Sequence, residues 1–294
     1  MTDFVQALLD GLALGSFYSL LALSVALVFG LLHLANFAHG ELLMVGGYAL
    51  YAMEGAPFPF VVLVVVIVVV LMAVLMERLA FRPLRDADPT TLLISAFAVA
   101  YLLQSLALFA FGGRPKTVEV ASFASGSIDL LGLHLSVLDL VNVGAAAVLL
   151  GGLAAFLRRS PIGTQMRAAA EDFRMARLLG VRANRVIAVA FAISGLFAAV
   201  TVILLVAQSG TVTPTMGLAP VLIAFVATVV GGMGRLGGSA VGGFLLGIVT
   251  VLLQTYLPDG LVPFRDAFLF SAVIAVLLVR PQGLFGSKAL VGRV

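Results

Sequence analysis

Residues 60–76 read FVVLVVVIVVVLMAVLM, a run with no charged and no polar side chain. A helix needs about 20 apolar residues to cross a hydrocarbon core roughly 30 Å thick, so this run predicts a membrane-spanning helix. The whole chain has the same character: of 294 residues, 62% are hydrophobic and only 11% are charged. A soluble domain has about 25% charged and 45–50% apolar residues. This composition excludes a disordered chain, a coiled coil and a nucleic-acid-binding domain, and it predicts that lipid surrounds the protein.

Further stretches of this kind predict an all-α, polytopic integral membrane protein that forms one domain over residues 1–294. The stretches lie at 12–32, 41–56, 58–76, 92–111, 137–157, 186–208, 219–233, 240–257 and 266–280. Two of them are marginal, because 41–56 is short and carries Glu41 and Glu54, and 219–233 ends in glycines. We therefore expect eight or nine transmembrane helices, some of them broken or half-helices.

Basic residues predict the orientation, because the cytoplasmic loops of membrane proteins carry an excess of Lys and Arg. Three segments, 77–91, 158–186 and the tail from 280 onward, hold 13 of the 17 basic residues. If the spans alternate, all three segments lie on one side, which is then the cytoplasmic side and includes the C-terminus. The N-terminus lies outside with nine crossings and inside with eight.

Two polar breaks interrupt the apolar runs. Residues 33–41 read HLANFAHGE, and residues 231–239 read GGMGRLGGS. Irregular backbone at membrane depth is tolerated only where protein or a water-filled cavity receives its free polar groups. Discontinuous helices in corresponding positions of two halves indicate a transport site.

The first break supplies three candidate residues for a translocation pathway: Asn36, His39 and Glu41. Asn36 is a good N-cap for a helix that begins at Phe37, and ionisable residues inside a membrane are costly and often functional. Two compatible interpretations remain: these residues cap a broken helix, or they line a polar path. A metal site would need His33, His39 and Glu41 to converge, and the six-residue spacing of the two histidines disfavours it. The chain has no Cys, and we expect neither a metal nor a cofactor.

Residues 158–186 form a charged segment that is too polar to span a membrane. Ser160 or Thr164 is expected to start a helix here, and Gly180 to end it. An apolar stripe and charge pairs at i,i+4 and i,i+3 follow helical spacing. Either this helix lies on anionic lipid, or it docks on a cytoplasmic partner. The stripe comprises Met166, Ala169, Phe173, Ala176 and Leu179, and the candidate docking residues are Arg167, Ala170, Glu171, Phe173, Arg174, Arg177 and Gly180.

Glycines at four-residue spacing predict close helix packing in the C-terminal half. Gly234, Gly238 and Gly242 form one small-residue face, and Gly243 and Gly247 form another. The chain contains no G-x-x-x-x-G-K-[ST] loop for binding ATP, and neither G-x-S-x-G nor H-E-x-x-H for hydrolysis. We therefore expect that it is not an enzyme.

Four motifs in the same order resemble LivH-type permeases, the membrane subunits of branched-chain amino-acid ABC importers. The resemblance covers nearly the whole chain. Its motifs are Gly11–Tyr48 with Asn36-Phe-Ala-His-Gly-Glu41, then Arg167–Val181, Gly231–Gly247 and Arg280–Gly286. Ser24 departs from the family, which commonly has Gly at this position.

The resemblance implies a permease subunit of an ATP-driven importer for branched-chain or related amino acids, in the bacterial inner membrane. It implies four kinds of contact: a second homologous permease subunit, two cytoplasmic ATPases that hydrolyse ATP, a periplasmic substrate-binding protein and the lipid bilayer, but no nucleic acid. The segment 158–186 would then couple the permease to the ATPases. Two alternatives remain: a permease of the same family for urea, short amides or aromatic acids, and an ion-coupled secondary transporter. The scarcity of carboxylates in the spans disfavours the latter.

Overall fold

The computed structural model describes residues 2–32, 36–85, 87–120, 126–130, 133–232 and 234–286. This part of the chain contains eleven α-helices: α1 (Thr2–Leu32), α2 (Gly40–Ala52), α3 (Phe58–Met76), α4 (Pro89–Phe111), α5 (Val137–Arg159), α6 (Pro161–Glu171), α7 (Phe173–Leu178), α8 (Ala183–Ser209), α9 (Leu218–Gly231), α10 (Leu236–Tyr256) and α11 (Arg265–Val279). Short antiparallel pairs join β1 (Lys116–Thr117) to β4 (Thr211–Val212), and β2 (Ser127–Leu130) to β3 (Leu133–Ser136). The predicted all-α class is confirmed.

Seven of the described helical stretches are long and apolar enough to cross a membrane: α1, α3 with the turn up to Phe81, α4, α5, α8, α10, and α11 with the short turn before it (Val262–Val279). The two stretches that the sequence marks as marginal form the shorter helices α2 and α9, of 13 and 14 residues. At 1.5 Å per residue each of them is about 20 Å long, and a hydrocarbon core is roughly 30 Å thick. They are therefore half-helices, as the polar breaks predict.

Helix α1 lies at the centre of the bundle. In its most hydrophobic window 83% of the residues are buried, against 17% in α4, 17% in α5 and 11% in α11. It packs against α10, α8, α9 and α5, and its small residues allow this: a Cβ added to Gly15 would lie 2.8 Å from the carbonyl oxygen of Phe244. The outer helices leave large apolar side chains exposed, which is typical of surfaces that face lipid or another apolar subunit.

The half-helices α2 and α9 begin next to each other inside the bundle. A Cβ added to Gly40, the first residue of α2, would lie 2.6 Å from the carbonyl oxygen of Gly217, which precedes α9. A Cβ added to Gly47 would contact Met216 and Val212 at 2.9 and 3.1 Å, so the chain before α9 runs back along α2. The positive ends of two helix dipoles therefore meet at this junction.

The arginine-rich segments gather at one end of the bundle, which we call the arginine-rich end. Arg82 of the segment after α3 and Arg177 of α7 line one cavity with Leu31, near the end of α1. The tail that follows α11 also packs here, since the backbone N–H of Leu284 donates to the carbonyl of Val230 at 2.8 Å. Arg235 donates to the carbonyl of Phe285 at 2.9 Å. The second polar break and the C-terminal motif are thus one packed unit.

Candidate functional site

Buried hydrogen bonds hold His39 in the first polar break. Its Nε2 atom lies 2.8 Å from the hydroxyl oxygen of Ser24 on α1. The hydroxyl of Ser194 on α8 donates to the backbone carbonyl of Ser24 at 2.7 Å and lies 3.4 Å from Nδ1 of His39. His39 is 2% exposed. Its side chain therefore links the break to α1 and α8.

Asn36 and Glu41 present buried oxygen atoms that have no partner among the described residues. Oε1 of Glu41 accepts a hydrogen bond of 2.7 Å from Nε2 of Gln104 on α4, whereas its Oε2 is unpaired. The side-chain oxygen of Asn36 is also unpaired. The prediction that the Asn36 side chain caps the following helix is wrong. Its backbone carbonyl, not its side chain, accepts a hydrogen bond from the N–H of His39 in the following turn. Buried polar atoms normally have hydrogen-bond partners, so these two oxygens are candidates for binding a ligand.

The segment 158–186 forms two helices, not the single helix that the spacing predicts. Ser160 caps α6, since its hydroxyl accepts the N–H of Gly163 at 2.8 Å. Asp172 is extended, with φ −150° and ψ 99°, and its carboxylate accepts the N–H of Met175 at 2.9 Å. Asp172 thereby ends α6 and caps α7, because its side chain competes with the helical backbone for the same donor.

Gly180 stops α7 as its position predicts. Its φ of +87° is a left-handed value that residues with a side chain rarely adopt. The N–H of Val181 donates to the carbonyl of Ala176, and the N–H of Gly180 to that of Arg177, both at 3.1 Å. These two bonds define a Schellman motif, and they fix the direction in which the chain leaves α7.

Most of the predicted apolar stripe packs inside the protein. Met166, Ala169 and Ala176 are buried, and Phe173 is half-buried against the core. The exposed apolar surface lies instead at the end of α7, where Leu178 and Leu179 are 78% and 79% exposed and Met175 is 53% exposed. Leu179 is thus the stripe residue that remains available to a partner, because α6 and the start of α7 use the other four to pack on their own chain.

Three predicted docking residues, Arg167, Ala170 and Glu171, line a cavity of about 300 Å³. Its other walls come from the end of α1 and from the second break, where Gly234 and Leu236 contribute. Arg177 lines a different cavity, described below, and the Arg174 side chain lies outside the described residues. Thus α6 faces the second polar break across this cavity, an arrangement that sequence spacing does not predict.

The turn after α3 is fastened to the start of α8 by Arg85. This guanidinium forms an ion pair with Glu77 and donates a hydrogen bond to the side-chain oxygen of Asn184. Glu77 is buried and begins a π-helical turn, Glu77–Phe81, in which the N–H of Arg82 reaches the carbonyl of Glu77 at 2.7 Å. Single π-helical turns are frequent at functional sites. Movement of the start of α8 would therefore be transmitted to the end of α3.

Four of the five predicted packing glycines lie at close helix contacts, and they join α10 to two different helices. Gly238 and Gly242 face α9, at Gly231 and Ala227, whereas Gly243 and Gly247 face α1, at Ser19 and Gly15. The expected packing role of Gly234 is wrong. This glycine precedes α10, has a φ of +87°, and has no atom within 4 Å of an added Cβ.

Within the described residues, no cluster of three or more His, Asp or Glu side chains could hold a metal ion. His33, which the metal interpretation requires, lies outside them. The candidate functional features in the described part of the chain are the junction of half-helices and the arginine-rich end.

These features define a class of protein: a multi-pass, α-helical membrane permease with discontinuous helices. The chain belongs to the family described as the branched-chain amino acid transport system permease component, whose sequence model matches residues 7–279. It is 32% identical to the high-affinity branched-chain amino acid transport system permease protein BraD of Pseudomonas aeruginosa, over 96% of both chains. The permease protein LivH of the same kind of system in Escherichia coli is also 32% identical over 96% of both chains. The resemblance to LivH-type permeases is confirmed.

Several residues of the site are absent from the sequence-based set. Ser24 binds His39, Ser194 lies beside the other ring nitrogen of His39, Gln104 binds Glu41, and Asn184 binds Arg85. Each is a polar residue in or beside an apolar stretch, which is a usable signal. Their partners lie 15 to 155 residues away along the chain, however, so only the fold pairs them.

Proposed function

We propose that the chain is one membrane-spanning subunit of an ATP-driven importer for branched-chain or related amino acids. In this proposal it forms half of the pathway as a single permease domain over residues 1–294. Its partners are a second homologous permease, two cytoplasmic ATPases and a periplasmic binding protein, in the bacterial inner membrane. The chain itself catalyses no reaction. The observation that carries the proposal is the exposed apolar end of α7, held at the arginine-rich end.

The arginine-rich end is the cytoplasmic end in this proposal. Cytoplasmic loops carry the excess of Lys and Arg, and the segments 77–91, 158–186 and 280–286 meet here. The C-terminus is then cytoplasmic, where ATPase subunits would be found. The reverse orientation would be unfavourable, because insertion would then have to carry these positively charged loops across the membrane.

Leu178 and Leu179 are the proposed anchors for an ATPase subunit. Both side chains are about four-fifths exposed, which is unfavourable in water. The Schellman motif at Gly180 holds them in a fixed position. Arg167, Ala170 and Glu171 on α6 would follow the movement of α7, since the 300 Å³ cavity beside them leaves room for a shift against the second break. The Arg85 contacts would carry this shift to α3 and α8.

The junction of α2 and α9 is the proposed substrate path. A zwitterionic amino acid has a carboxylate, which the positive ends of the two half-helices would attract. It also has an ammonium group, which would donate hydrogen bonds to the unpaired oxygens of Asn36 and Glu41. His39 would hold the break in shape without contacting substrate, because its ring nitrogens face Ser24 and Ser194.

The proposal is tested with the assembled importer in proteoliposomes, with its binding protein present and with labelled leucine as the probe. We expect uptake that requires ATP on the cytoplasmic side. The double variant Leu178→Ser/Leu179→Ser should insert normally but lose uptake and ATPase co-purification, because it removes two apolar side chains from the proposed interface, each of which contributes about 1.5–3 kcal/mol when fully buried. Leu261→Ser, at an exposed leucine just before α11, is the control and should transport normally.

Two results would contradict the proposal. Uptake of leucine by the chain alone, driven by an ion gradient without ATP, would identify a secondary transporter. Full ATPase co-purification with the double variant would show that α7 is not the docking surface. A second variant, Glu41→Gln, tests the pathway, and uptake should fall. Its control is Glu54→Gln, in the exposed turn after α2, which should leave uptake unchanged.

A further inference from the structure

A cavity of about 960 Å³ opens at the arginine-rich end, between the end of α1, the turn after α3, α7 and the start of α8. We call it the basic cavity. No Asp or Glu is among its described lining residues. The basic residues that line it are Arg82, Arg85, Arg177, Arg182 and Arg185.

The described residues of the basic cavity carry five positive charges, and the Glu77 carboxylate beside Arg85 balances one of them. Arg85 is paired with Glu77. Within the described part of the chain no salt bridge reaches the other four arginines, and Arg82, Arg182 and Arg185 are exposed. Like charges around one cavity repel each other, and guanidinium groups bind phosphate with paired, charge-assisted hydrogen bonds. The charge pattern is complementary to a phosphate-bearing anion.

The start of α8 adds to this complementarity. Arg182 is its N-cap residue, no side chain caps its first N–H groups, and its first turn contains no acidic residue. Helix N-termini favour anions and disfavour cations, yet Arg182 and Arg185 lie at this one. An anion bound here would interact with the helix end and with both guanidinium groups.

One wall of the basic cavity is apolar. Leu31 and Ile187, which are 6% and 1% exposed, and the half-buried Phe173 form this wall. Because the membrane-spanning helices α1 and α8 end and begin here, the cavity lies at the depth of lipid headgroups. We propose that the basic cavity binds an anionic phospholipid, with its phosphate at Arg177, Arg182 and Arg185 and its acyl end against the apolar wall. Basic pockets between helices at the cytoplasmic face are typical sites for such headgroups.

This site goes beyond the proposed function, since no step of amino-acid transport requires it. The probe is phosphatidylglycerol, titrated onto the purified full-length chain in neutral detergent and counted by native mass spectrometry. Phosphatidylcholine is the neutral comparison. The test variant is Arg182→Gln/Arg185→Gln, and the matched control is Arg158→Gln/Arg159→Gln, which removes the same charge from exposed residues of the same end outside the cavity.

We expect the wild type and the control to bind one phosphatidylglycerol with equal affinity, and the test variant to bind it roughly 30-fold more weakly. Phosphatidylcholine should not compete. If the double variant does not fold, Arg82→Gln on the exposed turn replaces it, with an expected weakening of about fivefold.

Three results would overturn the proposal. Equal weakening in the test variant and the control would show a diffuse charge effect. Displacement of the lipid by millimolar inorganic phosphate or ATP would show a site for a free anion. If the test variant binds lipid normally but no longer co-purifies with the ATPase, the arginines bind an acidic surface of that partner protein.

Discussion

Nε2 of His39 donates a hydrogen bond of 2.8 Å to the hydroxyl oxygen of Ser24. The direction of this bond follows from the neighbouring contacts, because the Ser24 hydroxyl uses its own proton on the carbonyl of Leu21 at 2.7 Å. Its oxygen is then left to accept, which assigns the ring proton to Nε2. The Ser24 hydroxyl therefore supplies the partner that a buried imidazole needs at this break.

Replacing Ser24 with alanine should destabilise the protein, because it leaves the buried Nε2–H of His39 without an acceptor. The expected loss is about 1–3 kcal/mol in the free energy of unfolding, measured as a lower melting temperature in detergent. Ser16→Ala is the control. Ser16 is equally buried on α1, but its hydroxyl bonds only the carbonyl of Leu12 in its own helix. Similar shifts for the two variants would mean that His39 does not depend on Ser24.

The variant Glu77→Gln should be strongly destabilising, because it removes the carboxylate that pairs with Arg85, whose side chain is only 15% exposed. Breaking a buried ion pair from one side commonly costs about 3–5 kcal/mol. Asp266→Asn breaks the exposed pair with Arg265, where the N–O distance is 3.0 Å, and should cost less than about 1 kcal/mol. Chemical denaturation of both variants in the same detergent gives the comparison. A small effect of Glu77→Gln would show that water already screens this pair.

The variant Gly247→Ala should separate α10 from α1, since the added methyl would overlap the backbone of Gly15. Overpacking of this kind costs typically about 1–3 kcal/mol, and it should lower the melting temperature. Gly237→Ala is the matched control in the same helix, because nothing lies within 4 Å of its added Cβ. It should be neutral or slightly stabilising. Equal behaviour of the two variants would contradict a direct contact between α10 and α1.

Reporter fusions at Gly286 and Gly126 test the orientation. We expect cytoplasmic reporter activity at Gly286, beside the arginine-rich end, and periplasmic activity at Gly126. The physical reason is the positive-inside preference of the basic segments. A cytoplasmic signal at Gly126 would reverse the orientation, and the exposed end of α7 would then face away from any ATPase.

The positions of the helices were predictable because the signal for them is local. Each of the nine apolar stretches coincides with a helix, and Gly180 and Ser160 mark helix ends as their chemistry predicts. The division of 158–186 into α6 and α7 was not predicted. Asp172 has helical residues on both sides, and whether its carboxylate caps a new helix depends on how α6 and α7 pack on the bundle.

The sequence by itself determined that this is an all-α membrane protein of the branched-chain amino acid permease family, because apolar length and local motifs need no partner elsewhere in the chain. Only the tertiary structure decided which polar groups are paired. It turned Met166, Ala169 and Ala176 inward and left Leu178 and Leu179 exposed. It also joined the C-terminal motif to the second break and gathered five arginines around one cavity. These contacts connect residues far apart along the chain, and they exist only once the helices have packed.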